Sequence, residues 1–361
     1  MRQIRSLFLL GIGIATLAFA GWAQQAPAEG PYRVLKTAKV GGDGGFDYVY
    51  ADSAGRRLYI PRSGALPRIT IFDLDTLEPA GEIPSPSAHG VAIDPKTDHG
   101  FATSKPLTMF DTKTISAMRQ VYVQGGPDGI LFDPSNERIF DFSHNPPEAT
   151  AIDAKDGSLV GTIDLGGAPE QAVADGNGHL YVDLEDKGSI AVVDAQTLMV
   201  TAHYDLAGKG GACAGLAIDV KNQILFAACR NPQAMVILSA TDGAIITTLP
   251  IGSGVDGAVF NPSTMEAFSS QGDGTLTIVK ENSPTDFTVE QTLQTMVSAK
   301  TLTLDSKTNH ILLIAADFAP PPAAPPASAS AASPSAPPAG GGRPARGQMV
   351  PDSFSILVVG K

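Results

Sequence analysis

Val91-Ala92-Ile93-Asp94-Pro95-Lys96-Thr97-Asp98-His99-Gly100-Phe101-Ala102 reads as an apolar run, an aspartate, a turn and a second apolar run. The phrase returns at Leu216-Ala217-Ile218-Asp219, followed by Gln223-Ile224-Leu225-Phe226. Seven copies can be aligned on Asp52, Asp94, Asp133, Asp175, Asp219, Asn261 and Asp305, spaced 39 to 44 residues apart. Short apolar runs separated by turn residues are strands, and strands repeating at this period are the blades of a β-propeller. No stretch carries a long amphipathic helical pattern, so the expected class is all-β: seven four-stranded antiparallel blades.

In the first repeat the strands are expected at Phe46 to Tyr50, Arg57 to Pro61, Arg68 to Asp73 and Pro79 to Ile83. Asp-x-x-Thr turns at Asp73 to Thr76 and Asp194 to Thr197 join the third strand to the fourth. The seventh repeat has only three candidate strands, Thr301 to Leu304, His310 to Ala315 and Phe354 to Val359. Tyr32 to Val40 is the natural fourth, and pairing both chain ends in one blade closes the ring. The propeller therefore covers 32–361. Within it, residues 319–350 are almost entirely Pro, Ala, Ser and Gly, a composition expected to stay disordered or polyproline-like.

Residues 1–23 read as a secretory signal: Arg2 and Arg5, an apolar stretch from Leu7 to Ala20, then Gly21-Trp22-Ala23. Residues 24–31 are expected to be a flexible lead-in. No further apolar run follows, so the mature chain is expected to carry no transmembrane segment and to be periplasmic or secreted. The formal charge is −12, with no basic run, which argues against nucleic acid as a partner. Cys213 and Cys229 are the two cysteines. They lie six residues before and ten after the same anchor, on neighbouring strands of blade five, so a disulfide is expected in an oxidising compartment.

The repeat and its phrases resemble the YVTN/YncE-like bacterial seven-bladed propellers. The phrases are Gly41-Gly42-Asp43-Gly44-Gly45-Phe46-Asp47-Tyr48, His89-Gly90, Pro127-Asp128, Pro169-Glu170, Glu185-Asp186-Lys187, Cys229-Arg230-Asn231, Pro250-Ile251-Gly252-Ser253-Gly254-Val255-Asp256 and Asp273-Gly274-Thr275-Leu276-Thr277. The resemblance covers about Tyr32 to Lys361 and implies the propeller fold with a binding or interaction role. It names no ligand.

Five residues before each anchor stand Asp47, His89, Asp128, Glu170, Ala214, Asp256 and Lys300. Equal phase places them at equal height where the innermost strands begin, as a polar ring at one mouth of the channel. Ten and eleven residues after the anchors stand Arg62, Ser104, His144, Glu185, Asp186, Cys229, Arg230 and Gln271, expected as a second polar shell on that face. Clustered carboxylates need a proton, a cation, or Lys300 and Arg230 to compensate them. Asp47, His89, Asp128, Glu170 and Asp256 could supply oxygen and imidazole ligands to a divalent cation such as Ca, Mg or Zn. The same groups could instead stitch blades together by bonding neighbouring backbone.

Three functional classes follow. The first is a binding or interaction propeller that holds a small ligand, a cation, or a protein or peptide partner at the ring face. The second is a metal-dependent, lactonase-like hydrolase or lyase with His89 or His144 as general base. The third is a structural cell-envelope protein. Ala214 breaks the ring in blade five and is expected to leave a gap for ligand entry.

Overall fold

The computed structural model describes residues 30–320 and 347–361; the expected signal, most of the lead-in and the centre of the Pro/Ala-rich stretch lie outside these. Seven four-stranded antiparallel sheets are present. Their inner strands are Tyr50–Asp52, Val91–Asp94, Pro127–Asp133, Pro169–Ala174, Cys213–Asp219, Val255–Asn261 and Thr301–Asp305. Each touches the next, and the seventh touches the first, so they form a closed circle around the axis. We letter the strands of each blade A to D from the axis outward.

The anchors explain the period. In six blades the anchor pairs across the A–B turn with the residue five places on, as Asp94 does with His99 and Asp219 with Ile224. The anchor's side-chain oxygen accepts backbone N–H groups inside the loop: Lys96 at 2.9 Å for Asp94, Ser135 at 3.0 Å for Asp133, Lys221 at 2.9 Å for Asp219. The fourth loop residue turns left-handed in each case: Arg56, Asp98, Glu137, Gln223, Met265 and Asn309 all have φ between 55° and 62°. The side-chain oxygen thus holds a backbone state that L residues otherwise avoid. Blade four uses a loop one residue shorter, with Gly176 and Gly178 at positive φ. Several C–D turns repeat the device, with Asp73, Asp111 and Asp194 each accepting N–H groups two and three residues ahead.

Seven apolar clusters form the core, one between each pair of neighbouring blades. Alternate residues of a strand face opposite neighbours, so each blade serves two clusters. Phe226 of blade five, for instance, stacks on Phe260 of blade six with ring centroids 5.3 Å apart.

The N-terminal segment closes the ring as expected. Arg33–Lys39 lies outermost in blade seven, antiparallel to Ser355–Gly360. Tyr32 packs edge-on against Phe268 of blade six, and its hydroxyl donates to Glu266. Lys361 reaches the same Glu266 at 2.8 Å, so both ends of the propeller fasten to one carboxylate. Gln291 brackets the Tyr32 backbone, accepting its N–H and donating to its carbonyl, both at 2.9 Å. One strand differs from expectation. The inner strand of blade one begins at Tyr50, because the Tyr48 N–H donates to the His89 carbonyl of blade two rather than to its own sheet.

Deleting 30–40 should leave the Ser355–Gly360 edge unpaired and give aggregated or non-cooperatively unfolding protein. A soluble deletion variant with a sharp melting transition would refute the closure. Glu281 supplies a second test, at the anchor end of the interface between blades five and six. It is buried, accepts from Asn222 at 2.6 Å, and shares a hydrogen bond with the Asp219 carboxylate. Burial pushes its carboxyl up to about 7, aided by the charge of Asp219 and opposed by Asn222. The folded state therefore holds a proton that the unfolded chain releases near 4.5, and stability should fall as pH rises from 4.5 through 7. Glu281→Gln should flatten that slope and raise the melting temperature at neutral pH by a few degrees, at roughly 2–4 °C per kcal/mol for a chain of this size.

Candidate functional site

The ring residues sit where the inner strands bend. In blades three to six the A–B ladder slips between Pro127 and Ile130, Pro169 and Ala172, Cys213 and Gly215, and Val255 and Ala258. Asp128, Glu170, Ala214 and Asp256 occupy those bulges, and a bulge re-aims a side chain out of the regular alternation. In blades one, two and seven, Asp47, His89 and Lys300 stand just before the paired strand.

Their side chains meet in a closed circuit of alternating charge. The His89 Nδ1 donates to Asp47 Oδ2 at 3.0 Å and lies 3.3 Å from Asp128 Oδ1. His144 Nε2 lies 3.8 Å from Asp128 Oδ2 and 3.2 Å from Glu170 Oε2. Arg230 follows, 3.6 Å from Glu170 Oε1 and in a direct ion pair with Asp256. Asp256 pairs with Lys300, and Lys300 returns to Asp47 Oδ1 at 3.1 Å. Four carboxylates therefore alternate with four nitrogen bases. Glu185 adds a branch, 3.1 Å from Arg230 Nη1.

Blade five does not leave a gap. Ala214 is buried, and Arg230, from the end of the same blade's strand B (Ile224–Arg230), spans the space between Glu170 and Asp256. Cys213 and Cys229, each next in sequence to one of these residues, form the expected disulfide and face each other across the A–B ladder.

The second shell divides by one residue of phase. His144, Glu185 and Arg230 project into the circuit, and because of blade four's shorter turn all three occupy one structural place. The residue before that place is buried in the blade. Arg62 lies with its guanidinium 3.7 Å over the Phe354 ring and donates to the Gly42 carbonyl; burial pulls it down to about 10. Gln271 bonds Ser269 and Thr275, Ser104 bonds Thr108, and Cys229 is in the disulfide. Asp186, one residue past, accepts from the Ala168 N–H at 2.7 Å and pairs with Lys187.

The electrostatics follow from this geometry. Burial raises the Asp47 carboxyl, but the His89 hydrogen bond and the Lys300 ammonium outweigh it and hold it at about 2. The hydrogen bond to Glu170 pushes the His144 imidazole up to about 9, and that to Asp47 raises His89. Burial raises Asp128, whose shielded Oδ1 has no hydrogen-bond partner. With both imidazoles protonated, the circuit is neutral.

Two residues outside the expected set cross the axis one step deeper. Tyr48 of blade one donates its hydroxyl to the Glu170 carbonyl of blade four at 3.2 Å. Gln171 of blade four accepts from the Leu216 and Ala258 N–H groups and donates to the Ala258 carbonyl, tying blades four, five and six. Both directly follow ring positions, which is the signal that could have found them. Below lies a channel cavity of about 290 Å³ lined by inner-strand residues such as Val91, Ile130 and Leu302. Beside the ring a cleft of about 730 Å³ runs from Asp47 and Lys300 to Phe318 and Met349, which bridge the two ends of the Pro/Ala-rich stretch.

Two further buried carboxyls stand close. Burial pushes Asp141 up to about 8, with a contribution from Asp128, and raises Asp183 well above its usual range. Elsewhere, Asp175 is spent on its own turn, accepting the N–H groups of Asn177 and His179 and the His179 ring.

Replacing Arg230 by Met leaves Glu170, Glu185 and Asp256 facing one another without their shared cation. Stability should fall by about 3 kcal/mol, and adding Asp256→Asn should recover part of it. Urea unfolding of the two single variants and the double variant reads this directly. Additive losses would show that the circuit is not coupled through Arg230.

No protein-family model matches this chain, and no curated protein matches it either.

Proposed function

We propose that the chain is an exported binding propeller of the YVTN/YncE-like kind that takes up a divalent cation at its charged ring and, through it, a small ligand or peptide. The repeat phrases support the family reading. The signal-like residues 1–23 and the Cys213–Cys229 disulfide support a periplasmic or secreted location.

One observation carries the cation reading. Ligand atoms of Asp47, His89 and Asp128 converge within 4.8 Å of one another, and so do those of Asp128, His144 and Glu170. Mixed imidazole and carboxylate ligation favours zinc- or manganese-like ions over calcium and magnesium. The imidazoles are accessible, with 50% of the His89 side chain and 39% of His144 exposed. The loops around this mouth also carry the chain's most exposed large apolar side chains among the described residues, Leu66, Tyr122 and Val297, at 78%, 74% and 69%. An ion inside and apolar groups on the rim suit a partner that is polar at one end and apolar along its length.

The test is calorimetric titration of chelator-stripped protein with zinc, manganese, calcium and magnesium. Zinc or manganese should bind with a Kd of about 1 μM or tighter, and calcium and magnesium at least about tenfold more weakly. Affinity should strengthen from about pH 6 to about pH 8, since the ion displaces imidazole protons. Replacing His89 and His144 together by Gln should weaken binding by about a hundredfold or more. Full-affinity binding in that double variant would move the site elsewhere, and no uptake at all would end the cation reading.

A further inference from the structure

We propose that the ring holds two divalent cations that share Asp128 as a bridging carboxylate. This rests on the cation reading above and specifies its stoichiometry and ligand set. The two triads have Asp128 in common. Its oxygens are divided between them, Oδ1 lying 3.3 Å from His89 and Oδ2 3.8 Å from His144. A carboxylate that turns one oxygen to each of two imidazoles has the arrangement of a bridge between two ions.

The outer ligands are arranged alike on both sides. Asp47 turns Oδ2 to His89 at 3.0 Å and gives Oδ1 to Lys300. Glu170 turns Oε2 to His144 at 3.2 Å and gives Oε1 to Arg230 at 3.6 Å. Each terminal carboxylate thus offers one oxygen inward while a fixed cation orients the other, as outer partners do around metal ligands. The imidazole-to-carboxylate separations, 3.0 to 3.8 Å, bracket the ligand–ligand edge of about 3.3 Å in a tetrahedral site with bonds of about 2.0 Å.

A second observation points the same way. Asp128 Oδ1 is shielded from solvent and accepts no hydrogen bond, because the His89 Nδ1 that lies 3.3 Å away donates to Asp47 instead; the buried Asp141 beside it also has an unpartnered Oδ1. An unsatisfied carboxylate oxygen is costly, and coordination to a cation satisfies it. Three protein ligands for each ion leave positions for water or for an anionic ligand entering from the cleft beside Asp47. Lys300 and Arg230 flank that space, and two dications beside them would make it suited to phosphate or carboxylate groups.

The experiment is metal analysis of full-length protein equilibrated with zinc and then desalted. Wild type should retain two ions per chain. Asp47→Asn and Glu170→Gln should each retain one, and Asp128→Asn should weaken both sites by about a hundredfold. Manganese-loaded wild type should give the electron paramagnetic resonance spectrum of a spin-coupled pair. Melting curves establish that each variant is folded. Should Asp128→Asn fail to fold, His89→Gln and His144→Gln provide the same contrast, each expected to lose one ion and the coupled spectrum. One ion in wild type would leave the single-cation reading standing and overturn the pair. Two ions untouched by Asp128→Asn would overturn the bridge, and no ion would overturn both readings.

Discussion

A side-chain oxygen that accepts backbone N–H groups two or three residues ahead is the interaction on which this propeller depends. At Asp94, Asp133 and Asp219 it holds the A–B loop, and in six blades the fourth loop residue lies in the left-handed region without being glycine. The loop sets the register of strand A against strand B. That register decides which residues face which neighbouring blade, and therefore where the inner strand starts and where its first side chain points. The charged ring is the far end of a chain of consequences that begins at the anchor turns.

Equal spacing made the fold legible, because a repeated local hydrogen-bonding solution leaves a repeated local sequence. It also exposed Asp47, His89, Asp128, Glu170, Asp256 and Lys300 as a set. The partners on strand B were harder to separate. His144, Glu185 and Arg230 face the axis, whereas Arg62, Ser104, Cys229 and Gln271, one place earlier in the blade, are buried. A window of two residues cannot distinguish the two faces of a strand, since neighbouring side chains point opposite ways. Blade four's shorter turn shifted the count by one and hid Glu185's equivalence to His144. Nothing in the spacing marked Arg230 as the group that fills the place beside Ala214, because a long side chain can cross from one strand to the next.

The circuit changes what clustered charge costs. Counted by residue, the ring looks like four repelling carboxylates. In space, no two carboxylates are consecutive members, and each has a nitrogen base on either side. Pairing of this kind offsets the desolvation of its members, and Lys300 helps hold the Asp47 carboxyl of the adjoining blade ionised. It also gives the ring a definite arrangement, with side chains oriented and held by one another rather than by solvent.

The closure in blade seven has a mechanical consequence. Arg33 pairs with Gly360, so the two ends of the propeller leave the same end of one antiparallel ladder. Tension applied between them would load the rungs one after another, as a zipper opens, rather than shearing all of them at once. Tyr32 and Lys361 stand at the first rung, both tied to Glu266 of the neighbouring blade. That carboxylate is the slider stop: while it holds, force at either end passes into blade six, and once it yields, the ring opens along a single seam.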